Sequence, residues 1–360
     1  MKNKWFVALL MVVVMMCACW TGAVADEERR TFKSGDYEYA LLDDDTVKIT
    51  KYNGNAKKLN IPNMFNGKKV TSIGDSAFYC CMSLTNITIP DSVTSIGDSA
   101  FDSCQSLTSI TILDSVTSIG DSAFSFCFSL TSVSMSDSVT SIGDSAFLYC
   151  KSLTSVTIPD SVTSIGDSAF DDCKSLRSIT IPDSVMQIGV NPFEDCSALK
   201  SISVSPDHPH FATIDGVLFR KADKTLISYP IGKNSSAYTI PQGITAIGDN
   251  AFYACKSLIS ITIPDSVTSI GDSAFMVCDS LTSITIPDSV TSIRDSAFFN
   301  CDSLTSVSIP DSVTFIGKDA FDACDNLTLT VSSNSYAAEY AKTNNIPYTY
   351  PDVNNNWLNN

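Results

Sequence analysis

Hydrophobic residues recur along this chain in a fixed order. Leu84, Ile87 and Ile89 lead one copy, and the "ITI" run alternates as a half-buried strand does. Val93 and Ile96 belong to a second short extended piece, and Ala100, Phe101 and Cys104 complete the apolar set. The order restarts 23 residues later at Leu107, then at Leu130, Leu153 and Leu176, and after an interruption at Leu258, Leu281 and Leu304. Cysteines mark the same beat from Cys81 to Cys196 and from Cys255 to Cys324. A unit this short cannot enclose a core of its own. Stacked coils must bury one another's apolar ladders, so the period predicts a mainly-β solenoid. About twelve coils at about 4.8 Å each would make a body about 60 Å long before caps. Within a coil, Pro90-Asp91 turns the chain. Gly97 is expected to supply a corner that other residues resist. Asp98 is expected to cap one short helical turn over "SAF" by accepting a local N–H.

The segment "DSVTSIGDSAF" occurs identically from Asp91, Asp114, Asp137, Asp160 and Asp265. With its flanks it reads "LTSITIPDSVTSIGDSAFxxCxS". This pattern resembles the BspA-type leucine-rich repeat, from about Leu59 to Asn326. The resemblance implies a leucine-rich-repeat right-handed superhelix, secreted or displayed at the cell surface, that binds host or neighbouring-cell macromolecules. Some copies depart from it. Leu113 and Ser136 replace the proline, Arg294 replaces the corner glycine, and "MQIGVNPF" (186–193) loses the Asp-Ser pair.

The ends read differently. Residues 1–25 carry a basic start, an apolar run from Trp5 to Trp20 and Ala23-Val24-Ala25, the order of a secretory signal peptide. Cleavage before Cys19 as a lipoprotein fits less well, because Met16-Cys17-Ala18 is a poor lipobox. Residues 26–58 predict a β-hairpin cap around Asp43-Asp44-Asp45. Residues 59–326 form the solenoid, with a hairpin insertion at about 205–234 turning at Lys221-Ala222-Asp223-Lys224. Residues 327–351 read as a strand, a helix begun by Ser335 and a final extended piece, together a C-terminal cap. Residues 352–360 are Asn-rich and read as a disordered tail.

Charge changes the choice of partner. The net charge is −16, or −18 once Lys2 and Lys4 are removed, which repels nucleic acid and anionic lipid. No nucleic-acid partner is expected, and no membrane span in the mature chain. Catalytic motifs are absent, so no enzyme, cofactor or metal is expected. His208 and His210, the only histidines, read as exposed loop residues. The Asp91 and Asp98 columns could bind cations, but turn capping is favoured. Ser109 and Thr111 belong to flat hydroxyl columns. Ice-binding faces use such arrays, yet solubility and β propensity explain them more simply.

Copies differ at the two residues after Phe and at the one after Cys. These positions precede the "LTSITI" strand and should line one rim of the stack. A turn that tolerates any residue explains this variation simply. Large apolar residues there keep recognition open beside it, because exposed aromatic rows mark binding sites. The candidate binding residues are Phe126, Phe128, Tyr149, Tyr253, Met276 and Phe299, expected to point to solvent. The resulting reading is a monomeric, secreted or cell-surface adhesin-like module whose partner is an extracellular or host-surface protein. The alternative is a passive surface-coat protein without a single defined ligand. The cysteine column is expected to be buried thiols, with Cys80 out of phase and exposed.

Overall fold

The repeated apolar positions fold as short parallel ladders. A computed structural model describes residues 31–351; the signal peptide expected over 1–25 and the tail over 352–360 lie outside the described residues. It is a β-solenoid of about 13 turns with coils of about 23 residues and almost no helix. On one side, Ser95–Ile96, Ser118–Ile119, Ser141–Ile142, Ser164–Ile165 and Gln187–Ile188 pair in order. On another, Asn86–Thr88, Ser109–Ile112, Ser132–Met135 and Ser155–Val156 do the same. Each residue faces its own copy, as Ile119 faces Ile96 and Ile142. Leu84, Ile87, Ile89, Val93, Ile96, Ala100, Phe101 and Cys104 are all buried, as the apolar pattern predicts.

Two buried columns run through the body. Phe78, Phe101, Phe124, Phe147 and Phe170 stack with centroids 5.0, 5.3, 5.4 and 5.4 Å apart. The ladder thiols donate backwards: Cys104 Sγ reaches Phe78 O at 3.2 Å, and Cys127 Sγ reaches Phe101 O at 3.3 Å. Burial pushes the Cys127, Cys150 and Cys173 thiols up, so they stay protonated. Cys80 is exposed.

The polar residues of the identical segment also work between coils. Ser92 Oγ donates to Val70 O at 2.6 Å, and Thr94 Oγ1 to Thr71 O at 3.1 Å. Ser95 Oγ meets Ser72 Oγ at 3.0 Å. Asp98 Oδ1 accepts the N–H of Asp121, in the next coil, at 2.9 Å, and Asp121 and Asp144 repeat this at 2.8 Å. The carboxylate therefore links coils and does not cap a local turn. The expected helical turn is absent. Ser99 instead adopts φ 53, and the N–H groups of Ser99, Phe101 and Ser103 donate to Asp121 O, Ala123 O and Ser125 O.

The repeat glycines correct a second expectation. Among the described glycines, positive φ belongs to Gly35, Gly67, Gly216 and Gly243, and to none of the corner glycines of the repeat. The repeat needs glycine for close approach. A Cβ at Gly143 would lie 2.7 Å from both Asp121 N and Gly120 C. Arg294 also avoids positive φ, so its corner is not strained in that way.

At the interruption, Phe211–Ile214, Val217–Arg220 and Thr225–Ser228 form an antiparallel meander. Its last strand pairs in parallel with Ala246–Ile247. The expected projecting hairpin is thus built into the stack. Alternate residues serve two core clusters: Leu218 and Ile227 face one, while Val217, Phe219 and Leu226 face the other. His208 is buried here and not exposed as expected. Its Nδ1 accepts the N–H groups of His210 and Phe211, both at 3.2 Å, leaving Nε2–H to donate to Pro182 O at 3.1 Å. Burial holds its pKa below the ordinary value.

The ends are covered. Thr31–Ser34, Tyr37–Leu41 and Val47–Tyr52 form a meander joined in parallel to Lys68–Ile73. At the other end the helix Tyr336–Thr343 starts at Ser335, whose Oγ accepts Ala338 N–H at 3.1 Å. Tyr348–Thr349 then pairs with Thr328–Val331.

Candidate binding surface

The second residue after each Phe turns the chain with positive φ. Ser103, Phe126, Tyr149, Asp172, Ala254, Val277 and Asn300 lie at φ 60, 55, 59, 55, 53, 61 and 56. The coil geometry imposes this conformation whatever residue occupies it. Asn and Asp tolerate it, whereas bulky residues are strained there by about 1–2 kcal/mol. Phe126 and Tyr149 occupy it nonetheless. Their rings stack at 4.9 Å and 9°. Phe128 meets Phe126 edge-on at 6.0 Å. Lys151 Nζ lies 5.0 Å from the Tyr149 ring and 5.2 Å from the Phe128 ring, within cation–π range. Two neighbouring coils thus form one aromatic patch capped by an ammonium.

Tyr253, Met276 and Phe299 fall in a different column, directly after Phe. Among the described residues no ring contact joins them to the patch. The structure therefore brings together three of the six candidates. All six are half-buried and not fully open to solvent as expected, and Phe126 and Tyr149 lie ring to ring across adjacent coils.

Carboxylates and a lysine lie beside the patch. Lys174 Nζ pairs with Asp172 Oδ2 at 3.2 Å and Asp195 Oδ2 at 3.0 Å. Burial, then Asp172 and Asp195, pushes Asp171 up to about 7. Burial, then Asp171, pushes Glu194 up to about 8, against the opposing pull of a hydrogen bond from Asn250. Tyr253 is raised to about 12 by burial and then by Glu194, Asp195 and Asp171. Among the described residues no group of three or more His, Cys, Asp or Glu is arranged to hold a metal ion. No helix there is long and apolar enough to cross a membrane.

Several exposed apolar residues escaped the reading of the copies. Tyr79 and Met82 occupy the rim positions of the first coil, 55% and 50% exposed. Met186 and Ile259 stand in Thr columns and Phe315 in a Ser column, all exposed. The signal lay in those otherwise constant columns, where a single large apolar substitution stands out.

A family model described as "BspA type Leucine rich repeat region (6 copies)" matches residues 71–200, 119–238 and 228–341. The chain belongs to the BspA-type leucine-rich-repeat family. Among solved structures, it is similar to a leucine rich cell surface protein from Faecalibacterium prausnitzii A2-165. The two are 36% identical, with 88% of this chain and 98% of that one covered and a TM-score of 0.66. The pneumococcal vaccine antigen PcpA shares the fold at 24% identity and a TM-score of 0.66, covering 85% and 82%. A leucine-rich repeat protein from Eubacterium ventriosum ATCC 27560 is 25% identical with a TM-score of 0.55, covering 84% and 71%. No curated protein matches the chain.

Proposed function

We propose that this BspA-type solenoid is a secreted or cell-surface, adhesin-like binding module. It recognises an extracellular or host-surface protein through the patch of Phe126, Phe128 and Tyr149. One observation carries this reading. Phe126 and Tyr149 hold a left-handed conformation where Asn300 and Asp172 in other coils serve the backbone better. Ser103 closes the same turn in another coil, so the turn itself does not require a ring, and the part of each ring left uncovered is available for contact. The large apolar residues that the copies share are consumed by the stack, so positions that vary between copies, the rim among them, are left to choose a partner. Aromatic anchors flanked by a cation are the residue types that dominate interface energy. Similarity to a cell surface protein supports the location. Repeat solenoids of this family are generally non-enzymatic, which supports binding over catalysis.

The test is capture with the immobilised chain from extracellular-matrix and host-surface protein fractions, followed by titration of each captured protein. A saturable partner supports the module. Only weak, non-saturating association with every fraction would favour a passive coat.

A further inference from the structure

Three departures from the repeat, far apart in sequence, meet on one concavity outside the rim. A groove runs along the short-strand ladder beside the Gly and Asp columns. In the earlier coils Asp121, Asp144 and Asp167 line it, with no basic residue among its lining. A later section of about 330 Å³ differs. Val190 stands where other coils carry the Asp of that column, so one carboxylate is lost. Arg294 stands where others carry Gly, and Arg220 enters from the meander. Strand order sets Val217–Arg220 and Ser292–Ile293 on opposite sides of Thr225–Ser228, Ala246–Ile247 and Ser269–Ile270. The two guanidinium-bearing residues therefore bracket the groove.

Pairing within the groove is uneven. Arg220 Nη1 contacts Asp223 Oδ2 at 3.1 Å, and Asp223 Oδ1 accepts Thr225 N–H at 3.3 Å. Asp249 Oδ1 accepts Asp272 N–H at 2.7 Å. The Arg294 N–H donates to Ile270 O at 3.0 Å, but its guanidinium forms no hydrogen bond or ion pair among the described residues. A free planar fork of donors beside a concavity matches a carboxylate, which it can hold through two parallel bonds. Thr225, Ser269 and the second oxygen of Asp249 present the small polar groups that hydroxyls need. The volume lies in the range of small-ligand sites.

We infer that this groove binds an acidic saccharide unit, its carboxylate held by the unpaired Arg294 and its hydroxyls by Thr225, Ser269 and Asp249, with Arg220 closing the far end of the groove. The site is independent of the aromatic rim.

Calorimetric titration of the full chain with glucuronate, galacturonate and N-acetylneuraminate tests this, with glucose and inorganic sulfate as control arms. At least one acidic sugar should bind saturably, at least tenfold more tightly than glucose or sulfate. R294G and V190D restore residues that neighbouring coils already carry, so both should fold and should weaken binding tenfold or more. The rim variant F126S/F128Q/Y149S should bind the sugar as the parent does. The site is refuted if none of the three acids binds saturably, or if R294G binds as tightly as the parent. Equal binding of glucose or sulfate refutes the saccharide assignment, and loss of binding in the rim variant places the site elsewhere.

Discussion

Replacing Glu194 by Gln should flatten the dependence of stability on pH. Glu194 sits where the coil ending at Cys196 meets the coil of Phe252. Its Oε2 accepts Asn250 Nδ2–H at 2.9 Å, while Asn191 Nδ2–H donates to Asn250 O at 2.7 Å. Burial and the neighbouring Asp171 and Asp195 raise it from 4.5 to about 8. Asp171 rises from 3.8 to about 7. Both folded values exceed the unfolded ones, so the fold favours the protonated acids. Their contribution is complete below about pH 4 and is lost as pH rises through about 7 and 8. At about 1.4 kcal/mol per pH unit, the Glu194 displacement corresponds to about 5 kcal/mol at most. Asp171 shares the repulsion and water enters as the acids ionise, so about 2–3 kcal/mol is expected for Glu194 alone. Gln keeps an oxygen for Asn250 and cannot ionise. Urea unfolding at pH 5, 7 and 9 reads the effect. The parent should lose stability from pH 5 to 9. E194Q should match it near pH 5 and lose about 2 kcal/mol less by pH 9. Parallel profiles would refute the assignment of this pH dependence to Glu194. His208, whose depressed pKa costs stability only as pH falls below about 6.5, is common to both proteins and cancels.

Other outcomes follow from the columns. Val277 is β-branched at φ 61, so V277N should raise stability by about 1 kcal/mol in urea unfolding; a loss would mean that Val277 packing outweighs its strain. F147A removes a fully buried ring between two stacked neighbours and should cost about 3–5 kcal/mol, against under 1 if the coils simply collapse around it. Iodoacetamide should label Cys80 in the folded protein and Cys127, Cys150 and Cys173 only after unfolding, read by mass spectrometry; disulfides between adjacent ladder cysteines in protein isolated from its native source would contradict the thiol column.

The solenoid, its core positions and the coil register could be read from the sequence because identical residues meet identical neighbours. Ile96, Phe101 and Cys104 each face their own copies, so a period of 23 states both the fold and the packing. What could not be read was direction. The same Asp98 could bond a local amide or that of Asp121, and only the stacking distance selects the second. Gly143 is needed for proximity to Asp121 and Gly120, a cause that sequence cannot separate from a positive φ. The meander misled because Val217 to Phe219 is apolar on both faces, which reads as a free hairpin until two clusters are seen to share it. His208 was hidden by the same partition. At the rim, spacing located Phe126, Phe128 and Tyr149, but the ring-to-ring stacking of Phe126 and Tyr149 sits on a positive-φ turn that the copies do not announce.

The most direct measurement of the division between scaffold and recognition is a paired titration of the parent and F126S/F128Q/Y149S. These substitutions give two coils the rim residues Ser103 and Gln105 that the Phe101 coil already carries. Binding to a partner captured by the parent is measured alongside urea unfolding of both proteins. The rings are half-buried, so a stability loss of up to about 3 kcal/mol with the fold intact is expected. Partner affinity should fall at least tenfold, about 1.4 kcal/mol or more. An intact variant that binds every such partner as tightly as the parent would show that the rim is a tolerant turn and that recognition lies elsewhere on the solenoid.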